Sequence, residues 1–174
     1  MGTRASILIE HEPFINFEDT DLKDSDISYH YWLYRHYDGY PAETGSSLIF
    51  ASNFVMQALL EKDAINAAEY GRLLKKQILE EDHYEKTSMM HSDIEWFYHF
   101  KFFSNPKKPF CNFRIRKREI GEDAPSHIFY DHKAKSPQHL FLHYMIFNSE
   151  LEIEQCKIRS KYYQKQLKEL IYGK

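Results

Sequence analysis

Two cysteines in 174 residues, Cys111 and Cys156, are too few for a disulfide framework or a cysteine zinc site. Glycine and proline number only 6 each, which excludes collagen-like repeats and a low-complexity chain. No apolar run approaches the roughly 20 residues that span a bilayer. The opening residues, Met1-Gly-Thr-Arg-Ala-Ser, lack the basic n-region, longer apolar h-region and small-residue cleavage site of a secretory signal. The signature loops of common enzymes are missing as well: there is no G-x-S-x-G, no Walker loop, no G-x-G-x-x-G and no H-E-x-x-H. A reduced, cytoplasmic chain without a membrane span is expected, and no nucleophile-plus-base pair announces catalysis.

What is present is a core. Apolar residues make up 43% of the chain and charged residues 28%, with a formal net charge of −3. At this length one domain buries roughly 70% of its unfolded surface. Aromatics reach 16%, with 13 Tyr and 13 Phe. Such a content serves either an aromatic-heavy β-sheet core or a recognition surface, where Tyr and Trp are enriched.

Periodicity divides the chain into blocks. Residues Thr3 to Glu10 set Ala5, Ile7 and Ile9 against Arg4, Ser6 and Leu8, the alternation of a strand. An acidic stretch, Glu18 to Asp26, reads as a solvated loop. Ser28 to Tyr37 is a second strand with rings on both faces, which places it inside a sheet. Asp38-Gly-Tyr-Pro41 breaks it with turn chemistry. From Ser46 to about Asp82 the apolar residues recur at helical spacing, giving two helices that meet near Asp63, with Ser46 or Ser47 as the first cap and Asp63 as the second. His83 to Ser92 reads as a loop. Strands follow at Asp93–Phe103, Phe110–Ile120 and Ser126–Asp131. Ser136-Pro137 starts a helix, and Ser149-Glu-Leu-Glu152 matches a capping box that opens a last helix to Tyr172. Blocks of strands and helices argue an α+β fold: a mostly antiparallel five-stranded sheet covered by helices. Residues 1–148 form the domain. The helix of residues 149–174 either packs on it, the outcome favoured here, or serves as an interaction arm and a route to homo-oligomers.

The most specific local signature is Tyr34-Arg-His-Tyr-Asp-Gly-Tyr-Pro41. With the opening MGTRA strand and Gly45 before a helix, it resembles an uncharacterised family of small bacterial and phage proteins whose second strand ends YRHYDGYP or YRHWDGYP. Asp93-Ile-Glu-Trp-Phe-Tyr and Ser136-Pro137-Gln138 are similar to later segments of that family, so the resemblance covers roughly residues 1–145. It implies no established activity, and it implies a phage or mobile-element setting in which an anti-defence inhibitor, for instance of a nuclease complex, would fit.

Arg35 and His36 leave opposite faces of a strand, so at most one points into the core. The segment from Glu43 to Ser47 meets a helix N-terminus, where backbone N–H groups hold anions. Arg4, Arg35, His36, Asp38, Gly39, Tyr40, Gly45 and Ser46 thus outline a pocket for a phosphate or carboxylate. The plainer reading pairs Arg35 with Asp38 and makes the turn a rigid aromatic plug.

Charge is segregated. Residues 10–26 carry seven acids and one lysine, whereas residues 101–118 carry seven basic residues and no acid. Arg114, Arg116 and Arg118 alternate, share one strand face and read as solvent-facing; Lys107 and Lys108 lie in the preceding turn. This is the layout of a surface for an acidic protein or a nucleic acid, or simply of a solvated sheet face. Among ten histidines, His139 and His143 share a helix face near Asp131 and His132, but no third ligand has a fixed spacing, and neither a metal nor a cofactor is expected. The expected function is non-enzymatic binding of a macromolecule, a protein before a nucleic acid, through the aromatic and basic face. The alternative is a domain acting on a nucleotide or phosphorylated small molecule at Arg35–Ser47.

Overall fold

Alternating residues write the sheet in this chain, and the computed structural model shows where each face goes. It describes residues 3–14, 27–59, 66–81, 83–105 and 107–172, the last five of these by backbone only. Strands β1 (Ala5–Glu12) and β2 (Tyr29–Arg35) are followed by one turn of π-helix, Pro41–Gly45, which runs into α1 (Ser46–Leu59). Then come α2 (Ala67–Leu79), β3 (Tyr84–Thr87), β4 (Trp96–Phe103), β5 (Cys111–Lys117), β6 (His127–Ala134) and α3 (Pro137–Tyr172). The fold is α+β, with six strands rather than five in the order β3-β2-β1-β4-β5-β6. Every neighbouring pair is antiparallel except β1 and β4 at the centre. A parallel pair needs a long crossover, and α1, α2 and β3 supply it.

The extra strand is β3, within the segment read as a loop. Tyr84-Glu-Lys-Thr87 has too few apolar residues to show alternation, and it is a strand because β2 offers it an edge. Ala5, Ile7, Leu33, Tyr98, Phe100, Phe113 and Ile115 point to one face and are buried beneath all three helices. The helices contribute Leu48, Ile49 and Val55 from α1, Tyr70, Leu74 and Ile78 from α2, and Leu140 and Tyr144 from α3. The opposite face carries Leu8, Trp32, Tyr34 and Phe97, against which Met90 and Ile94 pack.

The helix boundaries differ from the expected ones for identifiable reasons. Asp63 and the acidic stretch Glu18–Asp26 lie outside the described residues, and the cap of α2 is Asn66, whose side chain accepts from the Ala68 N–H at 2.8 Å. Neither Ser46 nor Ser47 caps α1, because the π-turn has already started the helix at Pro41. Ser136 does cap α3, its Oγ accepting from the His139 N–H at 3.1 Å. Ser149 opens no new helix: α3 is continuous for 36 residues, and the Ser149 hydroxyl donates to the Met145 carbonyl one turn back. The terminal segment meets the domain only over its first turns. Leu140, Tyr144 and Asn148, at four-residue spacing, are buried against the domain, but residues 152–167 are all exposed. Among the described residues, no helix is long and apolar enough to cross a membrane.

Candidate functional site

The YRHYDGYP segment ends β2 and is tied down from every side. Arg35 points to the helix-covered face and is buried; its Nε donates to the Tyr37 carbonyl at 2.8 Å and its Nη1 to the Tyr84 hydroxyl at 2.7 Å. Tyr84 in turn donates to Ser47 Oγ at 3.3 Å, and Ser47 donates to the Glu81 carboxylate at 2.9 Å. This Arg35–Tyr84–Ser47–Glu81 chain links β2, β3, α1 and the end of α2. Burial pushes the Tyr84 hydroxyl up from its ordinary range, so it stays a neutral link. Nothing local in the sequence marks it, since its members lie up to 49 residues apart.

Asp38 takes a left-handed conformation, φ 54°, which an Asp tolerates better than most side chains. Its carbonyl accepts from Thr44 Oγ1 at 2.7 Å. Gly39 is required by proximity: a Cβ there would lie 2.8 Å from the Arg4 carbonyl carbon, and the Gly39 N–H donates to the Thr3 carbonyl at 3.0 Å. Two buried tyrosines hold the exit of the turn, Tyr98 donating to the Gly39 carbonyl at 2.6 Å and Tyr144 to the Pro41 carbonyl at 2.7 Å. Tyr40 itself is half exposed, so the rings that plug this region come from β4 and α3.

Of the residues expected to line one anion pocket, the structure brings only some together. Arg35 bonds Tyr37 and Tyr84, not the Asp38 side chain. Arg4 lies on the other face of the sheet, in an ion pair with Asp93, which also accepts from the Tyr34 hydroxyl at 3.3 Å. His36 shares that face and pairs with Glu85 at 3.1 Å. The Glu43 and Thr44 N–H groups both reach the Tyr40 carbonyl, and the Ser46 N–H reaches the Pro41 carbonyl across the π-turn. The backbone donors that a phosphate would use at this turn are therefore occupied, and the Ser46 hydroxyl, which has no partner, is buried.

The arginine strand lies on the uncovered face, as its alternation implied, but its charges are not freely solvated. Arg114 donates through Nε at 3.0 Å and Nη2 at 2.7 Å to Asp131 on β6. Arg116 stands opposite Phe97, with its Nε buried and without a partner. Arg118 donates to the Ser92 carbonyl at 2.9 Å. Lys101 pairs with Glu10 at 2.6 Å and Glu12 at 3.1 Å, while Lys108 pairs with Glu12. The hydrogen bond from His99, joined by that from Lys101, holds the Glu10 carboxyl down at about 2. Acidic β1 thus neutralises much of basic β4 and the turn after it. Lys107 lies instead with Lys108, Lys133 and Lys135 around a groove of about 490 Å³ at the end of β5 and β6.

The histidines assemble further than their spacing indicated. His132 on β6 stacks on His143 of α3, with ring centroids 3.5 Å apart, and meets His139 edge-on at 4.8 Å. Burial, then the neighbouring His143 and His139, lower the His132 imidazole to about 4. Asp131 cannot join them, because adjacent strand residues face opposite ways. Among the described residues no cluster of His, Cys, Asp and Glu is arranged to hold a metal ion.

No protein-family model matches the chain, and no curated protein or solved structure matches it either.

Proposed function

We propose that this chain is a non-enzymatic binding protein that engages a protein partner through the uncovered face of its sheet. The observation that carries the reading is the asymmetry of the sheet. Three helices cover one face, while the other presents Leu8, Trp32, Phe97, His99, Arg114 and Arg116 with only the segment around Met90–Ile94 against it among the described residues. Aromatic and arginine side chains over a semi-buried centre are the composition of protein interfaces. A protein is favoured over a nucleic acid because most cations of this face already have carboxylate partners, whereas phosphate binding draws on unpaired ones. Inhibition of a nuclease complex, the concrete form that the family resemblance suggests, is one instance of this mode.

The test places a photocrosslinker at exposed His30 on the uncovered face and, separately, at exposed Gln138 on α3. A partner engaged as proposed is captured from His30 and not from Gln138. Capture weakens with salt and with the Arg114→Gln, Arg116→Gln pair of substitutions. Equal capture from both positions rejects the reading.

A further inference from the structure

A second site lies at the end of the sheet where α3 leaves the domain, on the side opposite the proposed interface. There a cleft of about 430 Å³ is bounded by Tyr40 and Pro41 of the YRHYDGYP segment, by Trp96 and Lys117 of β4 and β5, by Phe129 of β6 and by Asn148 of α3. Two of these residues carry buried polar atoms with no partner: the indole Nε1–H of Trp96 is an unused donor, and Oδ1 of Asn148 is an unused acceptor. Both residues are more than nine-tenths buried, at 5% and 7% exposure. Buried polar groups are almost always paired in folded proteins, because an unpaired one has given up its water for nothing. Two orphans of opposite sense, each on a residue that lines the same cleft, define a recognition pattern.

The orientation of the Asn148 amide is fixed, since its Nδ2 donates to Glu152 at 3.1 Å and so leaves Oδ1 as the group still to be satisfied. Trp96 and Phe129 pack edge to face at 5.1 Å, and the Lys117 ammonium sits 5.8 Å from the indole centroid. The walls are therefore flat and apolar, as ligand pockets of this size usually are. Two carboxylates, Glu43 and Glu152, border the cleft against the single ammonium of Lys117. That balance favours a neutral ligand over an anion.

We propose that this cleft binds the amide-type edge of a planar heterocycle, a nucleobase presented as a neutral nucleoside, with the ligand accepting from the Trp96 N–H and donating to Asn148 Oδ1. Free nicotinamide offers the same edge without a sugar, and the experiment separates the two sources. The full chain is titrated with adenosine, guanosine, cytidine, uridine and nicotinamide at millimolar concentration, following the indole N–H resonance of Trp96 by NMR and the melting temperature. Binding moves that resonance downfield, as expected for a donor gaining a partner, and raises the melting temperature. Methylating the ring nitrogen of the preferred base, or adding a 5′-phosphate, weakens binding. Trp96→Phe keeps the ring and removes the donor, so it lowers affinity about tenfold, and Asn148→Leu does the same by removing the acceptor. In the free protein Trp96→Phe lowers the melting temperature by a few degrees, because the smaller ring fills its core site incompletely, so affinities are compared at a temperature where both chains are folded. Nicotinamide binding as tightly as any nucleoside assigns the free amide as the source. No shift of the indole resonance with any probe overturns the proposal, as does binding that both substitutions leave intact. Capture of a protein partner at His30 is unaffected by either result, so the two readings fail separately.

Discussion

The two faces of the sheet use the same kinds of residue to opposite ends. On the covered face Phe100 stacks on Phe113 with centroids 4.2 Å apart, Tyr98 and Tyr144 spend their hydroxyls on backbone carbonyls, and all four are fully buried. On the uncovered face Tyr34 stacks on His91 at 3.9 Å and Trp32 on Phe97 at 5.8 Å, and between such rings run the Glu10–His99–Lys101 and Arg114–Asp131 ladders. Rings packed against helices contribute stability through lost water and close contact. Rings set among charges hold a shape at the surface. The high aromatic content thus builds the core on one face, and on the other it is the surface to which the proposed partner binding is assigned.

Truncating a covered ring is the largest expected break in this contrast. Phe100→Ala removes a fully buried stacked ring and costs about 3–5 kcal/mol in chemical denaturation. If it costs no more than an exposed substitution, the covered face is not the core. Next is the glycine of the π-turn. A Cβ at Gly45 would lie 1.9 Å from the Tyr144 hydroxyl, so Gly45→Ala must displace the ring and its bond to Pro41. The expected loss is about 2–4 kcal/mol, the sum of overpacking and a broken buried hydrogen bond. A melting curve equal to that of the parent shows that α3 docks independently of the turn.

Acid separates the faces by pH. His132, at the edge of the covered face, has its folded pKa lowered to about 4 from the 6.5 of the unfolded chain. Its contribution is full above pH 6.5 and declines as the pH falls toward 4. On the uncovered face Glu10 is lowered to about 2 from 4.5, so its contribution is full above pH 4.5 and is lost only as the pH falls toward 2. His132→Gln should flatten the first limb of a stability–pH curve and Glu10→Gln the second. A single limb that neither change alters refutes both assignments.

The smallest effect is expected where α3 has left the sheet. Ending the chain after Gln155 keeps the buried turn of α3 and removes exposed residues, among them Ile158, Tyr162, Tyr163 and Leu167. The melting free energy should change by less than about 0.5 kcal/mol. Sedimentation of the full and shortened chains shows whether those apolar side chains join two copies. A large loss of stability means that they are covered in solution.

The sequence by itself determined the faces of the long strands, because a period of two in Ala5-Ser-Ile-Leu-Ile9 or Phe113-Arg-Ile-Arg116 leaves no other way to bury one side. It also determined the start of α3 at Ser136-Pro137, a local hydrogen bond made by residues next to one another. Only the tertiary structure decided the rest. A capping box such as Ser149–Glu152 is a local preference, overridden when the preceding turns are already helical and docked. Strand β3 exists because β2 has an edge to pair, and Ser47 serves Glu81 and Tyr84 because α1 begins a turn earlier. The stacked histidines and the unpaired Trp96 and Asn148 come from elements 7 to 52 positions apart. Periodicity specifies which way a side chain points; what it meets there depends on chain closure over long loops, which no short window of sequence contains.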